Sequence, residues 1–329
     1  MICHLSLATV PLTRLLYHTH DSGTSAINPL SMIAPKQDVP DWLNYLRRVP
    51  VAGFVTNAVI AGWAKSQHLT ILEQLIAGIR YLDLRVVRSG SDYYICHGMY
   101  SFNFDDVVAD VQKFVAEFPK EIIIFDIHLL YNMDEDAEQM GLISKLFKAF
   151  GDKMAPNSHD AKTSLSTFQG SGYQIIALYA CESVVNNPTL NQGGRLWSQN
   201  QIQDVWANKN SLGELVPELG KSIKERKNDR KHNLEAVVTP NTPRIANSAY
   251  KLYNFGAVVT PDTSVIVSSF MPYVNNPKSL LELGTVVLPT ICNCISEWNE
   301  NCIVTVDYFD YLGSTFVDTV VNQNLHSVR

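Results

Sequence analysis

"GIRYLDLRVV", residues 78–87, is a near-continuous apolar run interrupted at alternate positions by Asp83 and Arg85. Successive side chains of a strand point to opposite faces, so Asp83 and Arg85 share one face. The run follows "HLTILEQLIAG" (68–78), in which apolar residues recur at helical spacing up to Gly78, a good C-terminal stop. A helix leading into a buried strand predicts an α/β unit with a charged pair on one face of the sheet.

Working outward, further β-branched runs recur. They are "VPLTRLLYH" (10–18), "SDYYICHG" (91–98), "EIIIFDIHLL" (121–130), "GYQIIALYA" (172–180), "LEAVVTPN" (234–241) and "NCIVTVDYF" (301–309). Such runs fit strands buried on both faces of a parallel sheet. Between them, "NFDDVVADVQKFVAEFP" (103–119) and "EDAEQMGLISKLFKAFG" (135–151) read as helices, with acids at the start and Pro or Gly at the end. Alternating strands and helices, with no internal repeat and no linker, predict one α/β domain over 1–329. Its architecture is a distorted or incomplete TIM (β/α)8-type barrel.

The apolar share is 46% and the charged share 18%, enough for a large core and against global disorder. A net charge of −6 leaves no overall basic field for nucleic acid, which is not expected as a partner. The one dense basic run, "KSIKERKNDRKHN" (221–233), has acids and amides interspersed and reads first as a solvated loop or helix face. Cys3, Cys96, Cys181, Cys292, Cys294 and Cys302 lack the spacing of a disulfide scaffold, and no zinc pattern is complete. Together with the lack of a basic and then apolar leader at the start, this predicts a cytoplasmic location. No run is read as a membrane span; "VPVAGFVTNAVIAGWA" (49–64) is expected to be a buried helix or ordered insertion, with interfacial membrane contact as the minority reading.

Sites of α/β barrels sit where strands end at their carboxyl termini. His20 and Asp21 follow the first strand, Asp83 and Arg85 lie on the second and His97 ends the third; Asp126 and His128 end the fourth and Asp307 the last. Histidines suit proton transfer near neutrality, carboxylates behind them fix a tautomer, and arginine offers a permanent planar cation to a phosphate. The set fits acid/base cleavage of a phosphate ester.

"THDSGT" (19–24), "EQLIAGIRYLDLRV" (73–86), "YICHGMY" (94–100), "FPKEIIIFDIHLLYNM" (118–133) and "CIVTVDYFD" (302–310), in this order, resemble the phosphatidylinositol-specific phospholipase C X-domain family. The likeness is to its eukaryotic X-domain-only members and spans about residues 10–320. It implies His20 as general base on the inositol 2-hydroxyl with Asp307 as partner, and His97 as general acid with Asp21 in support. Arg85 would bind the phosphate, and Asp83 would help hold the arginine and the reacting groups. The implied partner is a phosphatidylinositol-type lipid at a membrane surface, reached by transient peripheral contact, and the implied products are diacylglycerol and an inositol cyclic phosphate. Arg85 stands where calcium-dependent members carry an acidic ligand, so no cofactor and no calcium are expected. Tyr17 and His18 depart from the small residues usual before the catalytic histidine. Asp126 and His128 stand in place of the family's basic substrate contacts, and Trp197 and Trp206 read as aromatic walls, membrane-edge anchors or packing. Two other functions remain open: a barrel phosphodiesterase acting on other glycerophospholipids through acidic metal ligands, and a binding module for headgroups or proteins that has lost turnover.

Overall fold

The computed structural model describes residues 17–19, 21–35, 50–236, 251–270, 276–298 and 303–326. The strands are β1 (Tyr17–Thr19), β2 (Tyr81–Ser89), β3 (Asp92–His97), β4 (Met99–Asn103), β5 (Ile123–Tyr131), β6 (Ile175–Tyr179), β7 (Leu196–Ser198), β8 (Ile202–Trp206), β9 (Leu252–Gly256) and β10 (Ile303–Val306). Eight of them run parallel in the order β7-β6-β5-β2-β1-β10-β9-β8. No pairing joins β7 to β8 among the described residues, so the barrel has an open seam there.

Two apolar layers explain the curvature. Tyr81, Ile124, Ile176, Leu178, Trp197, Ile202, Leu252 and Ile303 point inward and fill the barrel. Leu82, Leu84, Phe125, Ala177, Phe255, Val304 and Val306 point outward against the helices. The helices are α1 (Pro50–Ala64), α2 (Ile71–Ala77), α3 (Phe104–Glu117), α4 (Asp136–Phe150), α5 (Leu165–Gly170), α6 (Glu182–Val185), α7 (Leu212–Ala236), α8 (Thr263–Ser268), α9 (Leu280–Trp298) and α10 (Thr315–His326), and α5 packs Leu165 and Phe168 into the interior cluster. The start of α2 is fixed by a capping box between Thr70 and Glu73, and its end by Gly78.

Several sequence expectations change. "SDYYICHG" is no barrel stave: β3 pairs antiparallel with β2 and then with β4, forming an arm outside the parallel sheet. "LEAVVTPN" is not a strand where it is described, since 234–236 end α7 and 237–241 lie outside the described residues; the stave of that region is β9. Of "VPLTRLLYH", only Tyr17 and His18 are described. The basic run 221–233 falls on α7, as a helix. The apolar run 49–64 forms α1, whose Ile60, Ala61 and Ala64 are buried while Phe54 and Val55 are exposed. The sequence reading found no spanning run, yet α9 has the length and composition to cross a membrane, with a mean hydropathy of 1.3 over 18 residues. In the structure it packs Val287, Leu288, Ile291 and Ile295 into the outer core.

Candidate active site

Moving along the inward face of the barrel, apolar side chains give way to polar ones. Tyr81 is followed by Asp83, Ile124 by Asp126, Ile202 by Asp204, Leu252 by Asn254 and Ile303 by Thr305, each two residues further on the same strand. This places a polar floor beneath the carboxyl ends of the strands.

Asp21 occupies the centre of the mouth. It is 1% exposed, and its carboxylate forms an ion pair with Arg85 Nε at 2.7 Å through one oxygen and faces His97 Nε2 at 3.4 Å through the other. The other nitrogen of the ring, His97 Nδ1, lies 2.8 Å from the Ala64 carbonyl oxygen. A carbonyl accepts only, so Nδ1 carries a proton, and Nε2 is the nitrogen left to exchange one with a substrate. His97 reaches this place because Gly98, at φ 62, turns the chain from β3 into β4 in a backbone that glycine adopts without steric cost.

Asp83 forms a second centre. One of its oxygens pairs with His128 Nδ1 at 2.7 Å and the other accepts from the Asp21 amide at 3.4 Å. Its main chain is bound to Ser22 twice, by Ser22 N–H to the Asp83 carbonyl and by Asp83 N–H to Ser22 Oγ, both at 3.0 Å. The β2–β5 register explains the pairing. Asp83 lies opposite Asp126 and Leu84 opposite Ile127, but Arg85 lies opposite Leu129, so His128 is the extra residue of a β-bulge. The bulge turns His128 toward Asp83 instead of leaving it beside Arg85. Burial alone would lower the His128 pKa, but the negative charges of Asp83 and Asp126 outweigh it and raise the ring to about 9.

Asp126 accepts from Tyr81 Oη and from Gln199 Nε2, each at 2.5 Å. Burial, together with the neighbouring Asp83, raises its carboxyl above the ordinary range despite those donors and His128. Across the mouth, Asn254 Nδ2 donates to Asp204 at 2.9 Å, and Asn254 Oδ1 accepts from Thr305 Oγ1 at 2.7 Å. Asp204 is reached by solvent yet enclosed by the barrel wall, and this desolvation plus repulsion from Asp83 and Asp126 pushes its carboxyl up to about 6. Trp206 lies over Gly256, where a Cβ would come within 2.5 Å of the indole, so only glycine admits it.

The structure thus brings together Asp21, Arg85 and His97, and beside them Asp83, Asp126 and His128. Among the described residues, Arg85 forms an ion pair with Asp21, and Asp83 forms one with His128. Asp307 is buried just beyond β10. His20 lies outside the described residues, and with it the expected His20–Asp307 pair. Trp197 is not a substrate wall; it is 1% exposed in the barrel core, and its indole N–H donates to the Ala155 carbonyl at 2.9 Å. Asp204, Asn254, Gln199 and Tyr81 went unread in the sequence as site residues. Asp21 and Tyr308 are non-glycine residues in the left-handed region, at φ 43 and φ 47. Such backbones cost about 1–3 kcal/mol each and persist where surrounding contacts determine them.

Comparison with known proteins bears on family and fold. The family model described as phosphatidylinositol-specific phospholipase C, X domain, matches residues 55–180. The human PI-PLC X domain-containing protein 2 is 30% identical over 246 residues, 73% of this chain and 76% of that protein. PI-PLC X domain-containing protein 3 of Mus musculus is 27% identical over 238 residues, 71% of each. Among solved structures, the F249X mutant of phosphatidylinositol-specific phospholipase C from Staphylococcus aureus superposes with a TM-score of 0.58 at 15% identity, covering 95% of this chain and 94% of that one. The enzyme from Listeria monocytogenes gives 0.57 at 15% identity, covering 96% and 95%. At such identity the structural likeness is one of fold, a TIM-like barrel. Sequence relatives, barrel and the motif-bearing strand ends agree, and the chain belongs to the phosphatidylinositol-specific phospholipase C X-domain family.

Proposed function

We propose that this protein is a phosphodiesterase that cleaves phosphatidylinositol, or a related phosphoinositide, into diacylglycerol and an inositol cyclic phosphate, with no metal ion. The observation that carries the proposal is the bridging carboxylate of Asp21, which holds a guanidinium and an imidazole side by side, with Arg85 at 2.7 Å and His97 at 3.4 Å. A phosphodiester needs a cation against its non-bridging oxygens and an acid beside its leaving oxygen, and these two side chains meet both needs.

In the proposed reaction His20, with Asp307 as its partner, removes the proton of the inositol 2-hydroxyl. The hydroxyl oxygen attacks phosphorus, and the bond to the glycerol oxygen breaks. His97 Nε2 gives its proton to that departing oxygen, completing diacylglycerol. Water opens the cyclic ester in a slower second step, with the two histidines exchanging roles. The charge of Arg85 substitutes for a cation and repels one nearby. Asp204 and His128 offer an acceptor and a donor to the remaining ring hydroxyls. The protein would act from the cytoplasm by transient contact with the bilayer surface.

The test is incubation with vesicles of phosphatidylinositol and phosphatidylcholine in excess chelator, followed by detection of inositol cyclic phosphate. Formation of that product, and its loss in His97→Ala and His20→Ala, is the expected result. Strict dependence on added calcium, or undiminished turnover in either variant, would overturn the proposal.

A further inference from the structure

Four consecutive residues at the end of α1, Ala64 to Gln67, are bonded to all three loops that carry Asp21, His97 and Asp307. The Ala64 carbonyl accepts from His97 Nδ1 at 2.8 Å. The Lys65 carbonyl accepts from Tyr308 Oη at 2.5 Å, and the Ser66 carbonyl from the Tyr308 amide at 2.8 Å. Gln67 Nε2 donates to the Val306 carbonyl at 3.1 Å.

Ser66 is the hub of this brace. It is fully buried, and its hydroxyl donates to the Asp21 carbonyl at 3.2 Å. Its amide donates to Thr24 Oγ1 at 3.1 Å, which leaves the Thr24 hydroxyl proton to donate to Ser66 Oγ at 2.8 Å. Ser66 therefore binds directly to both non-glycine residues that hold left-handed backbones beside the site, Asp21 and Tyr308.

The brace does what the sheet cannot. β1 and β10 are neighbouring staves, so ladder hydrogen bonds fix the loops that follow them. The β3 arm pairs with β2 and β4 only, outside the parallel sheet. The ladder from β1 reaches β3 only through β2 and ends at Ile95, two residues before His97, whereas Ala64 and Ser66, two residues apart, hold the His97 ring and the Asp21 carbonyl directly. We infer that Ser66 is a positioning residue, setting the Asp21 turn against His97 so that Nε2 of the ring and the Arg85 guanidinium address one phosphate; this deepens the phosphodiesterase function proposed above and rests on it. A misplacement of about 1 Å by a residue remote from the bond being broken can cost about 100-fold in rate.

The experiment compares wild type with Ser66→Ala, Thr24→Val and Thr24→Ser on the same phosphatidylinositol vesicles, alongside thermal melting. It also follows the ring Nδ1 proton of His97 by NMR, a signal that needs no turnover. Ser66→Ala and Thr24→Val are expected to lower kcat about 10- to 100-fold with KM changed less than twofold, and to broaden the His97 Nδ1 proton by exchange. Thr24→Ser, which keeps the hydroxyl, retains both kcat and the sharp proton. Unchanged kcat and a sharp proton in Ser66→Ala and Thr24→Val would overturn the inference, as would an equal loss in Thr24→Ser. If wild type releases no inositol cyclic phosphate, the proposed function falls and the proton signal alone decides: broadening in Ser66→Ala and Thr24→Val upholds the brace, and a sharp signal in both rejects it.

Discussion

His128 offers a test of the mouth's electrostatics that is independent of any substrate. Its ring titrates near 9 instead of at its ordinary 6.5, because Asp83, bonded at 2.7 Å, and Asp126 outweigh burial. A folded pKa above the unfolded one contributes stability that is fully present below about pH 6.5 and is lost as pH rises through about 9. The gap of about 2.5 pH units, at about 1.4 kcal/mol each, sets an upper bound of about 3.5 kcal/mol. A quarter of the side chain meets solvent (26% exposed), so screening brings the expected effect nearer 2 kcal/mol. The assay is urea unfolding of wild type and His128→Gln at pH 6 and pH 9.5. Wild type should be more stable than the variant at pH 6, and the difference should shrink by about 2 kcal/mol at pH 9.5. Asp204, raised to about 6, is only half ionised at the lower pH, but it titrates in both proteins, so its own contribution largely cancels in the difference between them. A difference that stays constant from pH 6 to pH 9.5 would refute the charged Asp83–His128 pair.

Three further outcomes follow from the geometry. Arg85→Lys should lower kcat/KM by about 100-fold on phosphatidylinositol vesicles despite keeping the charge, because a lysine cannot both sit against Asp21 and present a planar fork to phosphate; activity within threefold of wild type would contradict this. Trp197→Ala should cost about 3–5 kcal/mol in urea unfolding, as expected of a fully buried barrel side chain that also leaves the Ala155 carbonyl unpaired. A rise in KM alone, without loss of stability, would return Trp197 to the substrate. Asp204→Asn should remove an inflection near pH 6 from the kcat/KM profile, since the carboxyl responsible is pushed up to about 6; a profile identical to wild type would exclude Asp204 from substrate contact.

The staves with continuous apolar runs, β2, β5, β6 and β10, were legible because burial on both faces leaves an unbroken signature in sequence. β7, β8 and β9 were not. "LWS" is three residues long, and "IQDVW" and "LYNFG" carry Gln203, Asp204 and Asn254, since this side of the barrel turns polar toward the mouth. Polarity that serves the site erased the pattern that announces the strand. The same held for contacts: Asp21 and His97 stood out by motif, but the choice of Asp83 for His128 depended on a bulge that shifts register by one residue. Periodicity along one strand does not encode a register shift between two. The role of Trp197 was undecided in sequence for a related reason, since an indole serves as well in a core as at a rim and only the Ala155 carbonyl distinguishes the two.

The open seam between β7 and β8 has an evolutionary consequence. In a closed hoop, strand number, tilt and stagger constrain one another, so lengthening one connection disturbs every rung. Here the short connection Gln199–Gln201 bridges the break that the described residues leave beside a ladder of seven parallel pairings. Residues can be added or exchanged at that break without propagating strain around the wall. Because Gln199 is also the donor that holds Asp126, a change confined to this bridge would retune the charge at the barrel mouth while the frame stays as it is. The seam is therefore where this scaffold could alter its mouth at least structural expense.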